Sequence, residues 1–296
     1  MSSATSPPVP SERVSRVLVI GGTGYIGSGV VRALKASGRE VTRGSRRAVA
    51  DDSAGVRVDV RDVDSVVGAV AEVAPDVVVY AAGFDFEAES AALPAVLDRG
   101  VPLVYTSGIW WMGEVGSEPF EEGPPIGDTP RARIERLVLE TSAVTRTRAV
   151  VVRPAVVYGQ GGGIPAEMVD WAREYGVGRY VGRPGVRWPL VHVDDLAELY
   201  ARAIVAAPSG SVLHGVADGG VLVSEIAAAA DRAAGGGGRS EAWAVEDAAP
   251  VLGSAYAASL ALDQAFASVN TRILCDWNPT RASLVTELLT GQYTDA

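Results

Sequence analysis

The glycine-rich turn GGTGYIG at 21–27 constrains the fold of this chain most strongly, because it joins two segments of different periodicity. The β-branched run RVLVI at 16–20 precedes the turn, and a stretch with apolar residues at helical spacing follows it. Gly21, Gly24 and Gly27 lie where side chains would keep a pyrophosphate away from the N–H groups that open the helix. The pattern predicts a dinucleotide site, and the alternative is a tight turn without a ligand.

Further apolar runs follow the turn and are separated by stretches compatible with helices. They lie at 40–42, 56–60, 76–82, 102–107 and 148–154. Apolar and polar residues do not alternate in them, as expected for strands covered by helices on both faces. The order of strands and helices predicts an α/β fold, namely a Rossmann-type doubly wound parallel sheet with a smaller C-terminal substrate lobe.

The chain divides into three predicted parts. Residues 1–14 are expected to form a flexible tail, and 15–160 the dinucleotide-binding Rossmann domain. Beyond residue 160, glycine-rich pieces separate shorter elements, which predicts the substrate lobe over 161–296. The segment 189–205, with a helix near its Asp pair, belongs either to that lobe or to the Rossmann domain, to which it would return.

Besides the turn, short motifs follow one another over residues 16–205: DVRD, VVYAAG, VYTSG, VVRPAVVYGQGG and PLVHVDDLAELY. Together with VLVIGGTGYIG, they resemble the extended short-chain dehydrogenase/reductase family, also called the NAD-dependent epimerase/dehydratase family. The resemblance implies a nicotinamide dinucleotide. The implied contacts are Gly21, Thr23, Gly24, Tyr25, Ile26 and Gly27 in the turn, Asp59 and Val60 near the adenine, Ala81, Ala82 and Gly83 near the ribose, and Pro154 and Val156 near the nicotinamide.

The end of the second strand decides which nucleotide is favoured. An acid there binds the ribose 2′-OH of NAD, and an arginine accommodates the 2′-phosphate of NADP. This chain has TRGSRR and no acid, so Ser45, Arg46 and Arg47 are the phosphate candidates, with Arg43 added if the turn begins earlier. NADP(H) is the expected cofactor and NAD(H) the alternative. A solvated basic loop is the other explanation of these arginines.

The catalytic positions depart from the family pattern. In the family that the chain resembles, a Ser or Thr follows the fifth strand and a Tyr-x-x-x-Lys pair lies on the next helix. Ser107 matches the first position, but the helix region PPIGDTPRARIERLVLE contains neither Tyr nor Lys. Aligning Glu135 with the glutamate of the family places Arg131 at the Lys position and Gly127 at the Tyr position.

A second register, two residues later, offers Arg133 and Thr129, and neither register supplies a phenol. Arginine keeps its proton at neutral pH, so Arg131 can bond a ribose or fix positive charge but cannot carry the proton. Tyr105 is the candidate substitute acid, because positions i and i+2 of a strand share a face with one another. The catalytic candidates are therefore Ser107, Arg131 and Tyr105.

Loops after the strands supply substrate candidates, because ligands of open α/β sheets bind at the carboxyl ends of the strands. Asp85 follows the fourth strand and is one candidate. Trp110 and Trp111 follow the fifth, either as a wall for an apolar or planar substrate or with one ring in the core and the other capping the lobe. Arg183 and Arg187 either clamp an anionic group or lie in a solvated loop.

Charge and composition limit the partners. Lys and Arg number 26 against 36 Asp and Glu, a net charge of −10, so nucleic acid is not expected. No apolar run approaches the roughly 20 residues of a membrane helix. The single cysteine, Cys275, excludes an internal disulfide and favours a reducing, cytoplasmic compartment. His192, Asp194 and Asp195 are assigned to helix capping and not to a metal.

The sequence favours an NADP(H)-binding oxidoreductase that acts on a small organic carbonyl, alcohol or enone, as a monomer or homodimer. Two further functions stay open because the Tyr and Lys are missing. One is a redox-neutral isomerase, dehydratase or cyclase that uses the same cleft, and the other is a non-catalytic dinucleotide sensor. Ser107 and the two tryptophans favour an enzyme over a sensor.

Overall fold

The computed structural model describes residues 14–46, 55–290 and 293. Strands and helices alternate along the first half, as the apolar runs predict. The elements of this half are β1 (Arg16–Ile20), α1 (Tyr25–Ala36), β2 (Glu40–Ser45), β3 (Gly55–Arg57), α2 (Val63–Val73), β4 (Val77–Tyr80), α3 (Phe86–Leu97), β5 (Leu103–Thr106), α4 (Pro130–Thr145), β6 (Ala149–Pro154) and β7 (Val156–Tyr158). The second half contains α5 (Ile164–Tyr175), β8 (Gly178–Val181), β9 (Arg187–His192), α6 (Val193–Ala206), β10 (Val212–Gly215), β11 (Asp218–Leu222), α7 (Val223–Ala233), β12 (Ser240–Trp243), α8 (Val245–Leu252), α9 (Ser254–Leu260), α10 (Val269–Cys275) and α11 (Leu284–Thr290).

A seven-stranded sheet in the order β10-β6-β5-β4-β1-β2-β3 forms the central layer, and all neighbouring strands are parallel. The chain builds the sheet in one direction from β1 to β3 and in the other from β4 to β10. The strand order therefore reverses between β1 and β4, which is where doubly wound sheets bind ligands. The predicted Rossmann-type fold is confirmed.

Alternate residues of β1 face two separate cores. Val17 and Val19 pack with apolar side chains of α1 and α6, whereas Leu18 and Ile20 pack with those of α2 and α3. None of these four side chains is more than 1% exposed. Burial on both faces explains why the strands are continuous apolar runs in the sequence.

A second lobe lies beside the main sheet. It contains the three-stranded sheet β11-β9-β7, the strand pair β12-β8 and the helices α5, α7, α8 and α9.

The chain returns from this lobe to the main sheet. Helix α6 packs against α1, and β10 pairs with β6 at the sheet edge. Gly29 of α1 permits the close approach of α6, since a Cβ there would lie 3.2 Å from Val193 Cγ2. The segment 189–205, whose return to the Rossmann domain was one of the two expectations, contains α6 and packs against α1. The strand β10 lies beyond that segment and is too short to show a periodic signal in the sequence. The predicted tail lies outside the described residues except for residue 14.

Candidate functional site

The glycine turn joins β1 to α1 at the point where the strand order reverses. Gly21 has a φ of +82°, and a Cβ there would lie 2.5 Å from the carbonyl oxygen of Ala81. A Cβ on Gly27 would lie 2.1 Å from the carbonyl oxygen of Gly21, because α1 packs directly on the turn. A Cβ on Gly24 would meet only that same oxygen, at 3.3 Å. Protein packing thus requires Gly21 and Gly27, whereas Gly24 leaves backbone open to a ligand at the helix N-terminus.

A cavity of about 320 Å³, which we call the glycine-turn cavity, opens beside this turn. Most of the residues predicted to hold the cofactor line it: Gly21, Thr23, Gly24, Ser45, Arg46, Asp59, Val60, Ala81, Ala82 and Gly83. They come from the turn and from the carboxyl ends of neighbouring strands. Their backbone N–H groups and arginine charge suit the phosphates of a nucleotide.

Two arginines bring positive charge to the glycine-turn cavity. Arg46 is exposed directly after β2, and Arg61 lines the cavity from the loop before α2. The Nε of Arg61 donates to Asp85 Oδ2 at 3.2 Å. Arg61 is absent from the predicted set, although the DVRD motif contains it. The predicted phosphate residue Arg47 lies outside the described residues.

Asp85, a predicted substrate residue, instead caps α3. Its Oδ1 accepts the N–H of Ala88 at 3.1 Å, and its Oδ2 accepts from Arg61. Asp85 lines the glycine-turn cavity and not the cavity that holds Ser107. The structure corrects the prediction, because a carboxylate just before a helix satisfies the free N–H groups of the first turn.

A second cavity, of about 540 Å³, contains Ser107 and is mostly apolar. We call it the tryptophan cleft, because Trp110 and Trp111, on a short 3-10 turn after β5, both line it. The Nε1 of Trp111 donates to Ser107 Oγ at 3.2 Å. The ring of Trp110 lies 6.2 Å from that of Tyr256 in the second lobe. Both indoles are therefore walls of the cleft.

The two cavities adjoin at Phe84, which lines both of them. Ile26, Pro154 and Val156 line the tryptophan cleft. The other predicted cofactor residues are Tyr25 and Gly27, which line neither cavity, and Arg47, which lies outside the described residues. An elongated ligand can thus extend from the glycine turn past Phe84 to the neighbourhood of the two indoles.

The side chain of Tyr25 does not line either cavity. Its hydroxyl donates to the carbonyl oxygen of Gly159 at 2.7 Å, and a Cβ on Gly162 would lie 2.7 Å from its Cε2. Tyr25 therefore ties the loop at 159–163 to the start of α1. A cofactor contact of Tyr25 stays a prediction for its backbone N–H, which lies in the first turn of α1.

Ser107 belongs to a buried chain of polar groups. Its hydroxyl donates to Glu135 Oε1, and Arg153 bonds the same carboxylate with Nη2 at 2.6 Å and Nε at 3.1 Å. Glu135 and Arg153 are both 0% exposed. Because the Ser107 hydrogen points to Glu135, the oxygen that faces the cleft is a hydrogen-bond acceptor. A role for Arg153 was not predicted, although a lone arginine in the run AVVVRP is a signal for a buried partner.

Arg131 lies in the first turn of α4, after the N-cap Thr129 and Pro130, and lines the tryptophan cleft. Its guanidinium carbon lies 3.9 Å from the ring centroid of Phe84, and Nη1 donates to the hydroxyl of Tyr105 at 3.0 Å. The cleft therefore has a positive charge at the residue that the first register aligns with the family's lysine.

Tyr105 lies beneath Arg131 and not at the cleft. It is 0% exposed, and its hydroxyl donates to Glu89 Oε2 at 2.6 Å. Burial raises the pKa of Tyr105 above its usual range, despite the opposing charge of Arg131. The structure thus contradicts Tyr105 as the substitute acid, because the side chain faces the α3 and α4 side of the sheet.

Gly127 cannot stand for the family tyrosine. Helix α4 begins at Pro130, so position 127 precedes the helix, and Gly127 has a φ of +69°. The Thr129-Pro130 pair is a sequence signal for that helix start. The aligned Tyr position is therefore on a loop in this chain.

Arg183 and Arg187 do not clamp a ligand in the cleft. Arg187 bonds Asp263 through Nε at 3.0 Å and Nη2 at 2.8 Å. Arg183 bonds Glu114 at 2.8 Å and Asp263 at 3.3 Å. The Arg187 hydrogen bonds lower the pKa of the Asp263 carboxyl. The predicted anion clamp is corrected, because Asp263 already occupies these arginines.

His192 caps α6, since its Nδ1 accepts the N–H of Asp194 at 3.1 Å. Asp195 accepts the N–H groups of Thr280 and Arg281 and thereby fixes the later chain to α6. Over residues 14–46, 55–290 and 293, no group of three or more His, Cys, Asp or Glu side chains is placed to hold a metal. The helices among these residues are all too short or too polar to cross a membrane.

The parallel sheet, the glycine turn at its switch point and the adjoining Ser107 cleft define a Rossmann-type protein of the short-chain dehydrogenase/reductase class. The model of the NAD dependent epimerase/dehydratase family matches residues 17–98. The epimerase family protein SDR39U1 of Bos taurus is 31% identical over 226 residues, which cover 68% of this chain and 74% of that protein. The chain therefore belongs to the NAD-dependent epimerase/dehydratase family, as an atypical extended member without the Tyr-x-x-x-Lys pair.

Two further similarities concern proteins with a named activity or ligand. The 2'-dehydrokanamycin reductase of Streptomyces kanamyceticus is 30% identical over 215 residues, which cover 65% of this chain and 60% of that protein. The solved structure of human SDR39U1 (isoform 2) with NADPH has a TM-score of 0.68 at 23% identity and covers 93% of this chain and 98% of that one. Other solved structures with this fold contain NAD.

Proposed function

We propose that the protein is an NADP(H)-dependent oxidoreductase that acts on a small organic carbonyl, alcohol or enone. One observation carries the proposal: the glycine-turn cavity and the tryptophan cleft adjoin at Phe84. A dinucleotide bound at the glycine turn would reach the cleft with its reactive end, close to Ser107.

The preference for NADP(H) rests on charge at the glycine-turn cavity. The segment Gly44, Ser45 and Arg46 at the end of β2 offers no carboxylate to a ribose 2′-OH, and all three residues line the cavity. Arg61 also lines the cavity, where its Nε is paired with Asp85 and its two Nη groups are left for a phosphate. The human relative with NADPH supports this assignment, and the NAD-containing neighbours keep NAD(H) as the alternative.

NADPH, when bound, supplies a hydride. The residues of the chain then bind and orient the substrate. The apolar walls around Trp110 and Trp111 exclude water, and Arg131 provides positive charge that can orient a polar group of the substrate. Among the described residues that line the cleft, Ser107, Thr129 and Ser259 offer hydroxyls, and none is a Tyr, Lys, His, Asp or Glu. Hydride addition to the C=C bond of an enone would give an enolate, which can take its proton from water. Enones therefore suit the cleft better than simple ketones, whose reduction needs an acid beside the carbonyl oxygen.

The test compares wild type with Gly24→Val in two assays. Calorimetry measures NADPH and NADH binding, and the loss of NADPH absorbance measures turnover on a panel of enones, aldehydes and ketones. Wild type should bind NADPH and reduce members of the panel, and Gly24→Val should do neither. Gly68→Val is the matched control, because Gly68 lies exposed on α2 with no atom within 4 Å of an added Cβ. NADPH binding by Gly24→Val at the wild-type affinity would refute the proposal.

A redox-neutral reaction is the second candidate, because no phenol or lysine lines the described part of the cleft. In that case the substrate would be consumed while the amounts of oxidised and reduced cofactor stay unchanged. Binding without any turnover would instead support the sensor. A cytoplasmic location and a monomeric or homodimeric state stay predictions.

A further inference from the structure

Arg131 is the single charged side chain among the described residues that line the tryptophan cleft. Its side chain is 19% exposed, so most of it is shielded from water. A charge in such surroundings attracts an opposite charge more strongly than it does in bulk water.

The position of Arg131 is fixed from several sides. The ring of Phe84 stacks on the guanidinium at 3.9 Å, and the Tyr105 hydroxyl accepts from Nη1 at 3.0 Å. Arg131 is also in the first turn of α4, a 16-residue helix whose N-terminus carries partial positive charge. The helix does not stabilise a cation at this end. The guanidinium of Arg131 and the N-terminus of α4 therefore both attract an anion in the cleft.

The countercharge of Arg131 is incomplete. Glu89 Oε2 lies 3.8 Å from Arg131 Nη1, and Glu89 Oε1 is buried without a hydrogen-bond partner in the described chain. Burial raises the pKa of Glu89 to about 7, opposed by the Tyr105 hydrogen bond and the charge of Arg131. The groups that face Glu89 are Tyr80 on β4, Tyr105 on β5, Arg131 on α4 and Asp85 at the start of its own helix. Near neutral pH, Glu89 therefore neutralises Arg131 only in part.

We infer that the substrate of the proposed reaction is a planar, mainly apolar carboxylate whose anionic group pairs with Arg131, and that Glu89 is the buried countercharge that sets the strength of this pairing. The inference rests on the proposed function for the reaction itself. The flat indole walls suit an unsaturated or aromatic skeleton, and a guanidinium binds a carboxylate with paired N–H groups.

The test uses trans-cinnamate and its neutral counterpart trans-cinnamamide as probes. Calorimetry with and without NADP⁺ measures the binding of each probe to the full chain. Cinnamate should bind roughly tenfold or more tightly than cinnamamide, as expected for a charge-assisted pair. Arg131→Met should abolish the preference, and Arg131→Lys should retain part of it. Arg183→Met is the matched control and should retain all of it, because Arg183 lies outside the cleft.

The pH dependence gives a second measurement. Above its pKa, Glu89 is ionised and compensates Arg131, so the preference for cinnamate should fall as the pH rises from about 6 to about 8. Glu89→Gln keeps a hydrogen-bond acceptor for Tyr105 and removes the titration. Its preference should therefore stay high and constant over this range.

The outcomes separate this inference from the proposed function. Equal binding of the two probes, or binding of neither, overturns the inference and leaves NADPH binding and turnover untouched. If Arg131→Met loses NADPH affinity but keeps the cinnamate preference, Arg131 serves the cofactor and the inference is also overturned. If wild type binds no NADPH, the proposed function fails, whereas the preference for cinnamate can still be measured.

Discussion

Ser107 donates its hydroxyl hydrogen to Glu135, a carboxylate that is fully buried and paired with Arg153. This relationship fixes the hydrogen-bond polarity at the floor of the tryptophan cleft. The Ser107 oxygen accepts from Trp111 and offers its remaining lone pair to a ligand. A substrate hydroxyl can therefore bind Ser107 directly, whereas a carbonyl must find its donor elsewhere in the cleft.

Arg153→Met should destabilise the protein by about 3–5 kcal/mol, because it leaves Glu135 buried without a countercharge. Urea unfolding measures the loss. Arg173→Met is the control, since its pair with Asp170 is largely exposed and should contribute at most about 1 kcal/mol. A loss as small as that of the control would mean that Glu135 is compensated by another group.

Gly21→Ala should change the stability of the protein, whereas Gly24→Ala should change its binding of NADPH. Gly21→Ala forces a Cβ to within 2.5 Å of the Ala81 carbonyl and a side chain into φ +82°, so it should lower the free energy of unfolding by more than about 1 kcal/mol. Gly24→Ala should leave that free energy almost unchanged and weaken NADPH binding. Thermal unfolding and calorimetry on both variants check the difference, and equal destabilisation would contradict it.

Arg46→Ala should weaken NADPH binding roughly tenfold or more and leave NADH binding nearly unchanged, because only NADPH has the 2′-phosphate. Arg99→Ala is the matched control, because Arg99 is an exposed arginine just after α3. The measurement is calorimetry with both cofactors. Equal losses for NADPH and NADH would place the phosphate at another residue.

Glu89 should make stability depend on pH. Its pKa is about 7 in the folded protein against an ordinary 4.5, so the folded state holds a proton that the unfolded chain has already released. Between these values stability falls as the pH rises, with a slope of up to about 1.4 kcal/mol per pH unit from this group. Glu89→Gln removes the slope. Urea unfolding of wild type and Glu89→Gln at several pH values measures this dependence. If the difference between their free energies of unfolding does not change with pH, Glu89 does not titrate as a buried carboxyl.

Gly127→Tyr with Arg131→Lys should not create a ketone reductase. Position 127 lies before α4 and in a conformation that disfavours a side chain, so the new phenol cannot reach the place it has on a helix. Reduction of simple ketones by NADPH should stay as slow in the double variant as in wild type. Rapid reduction by wild type would show that the cleft already contains a proton donor. Rapid reduction by the double variant alone would show that the new tyrosine has become one.

Local patterns made the nucleotide half of the molecule predictable. A few consecutive residues determine each of its features, namely the turn around Gly21 and Gly27, the buried parallel strands and the basic end of β2. Phe84 was not predictable in the same way, because its place between two cavities depends on where β4 ends relative to α4.

Long-range polar partners explain the errors at the substrate half. Arg187 and Asp263 are far apart in sequence, and nothing near Arg187 indicates that a carboxylate from after α9 occupies it. The side on which Tyr105 lies depends on the register of β5 in the sheet, which the sequence of one strand does not fix. The start of α4, in contrast, can be predicted from Thr129 and Pro130.

The return of the chain to the main sheet has a consequence for biosynthesis. While the first 160 residues emerge from the ribosome, β6 is an open sheet edge and α1 lacks the covering helix α6. The strand β10, which pairs with β6, and the helix α6 are synthesised only after the first elements of the second lobe. The nucleotide fold therefore lacks an edge strand and a covering helix until residues of the second half have been made.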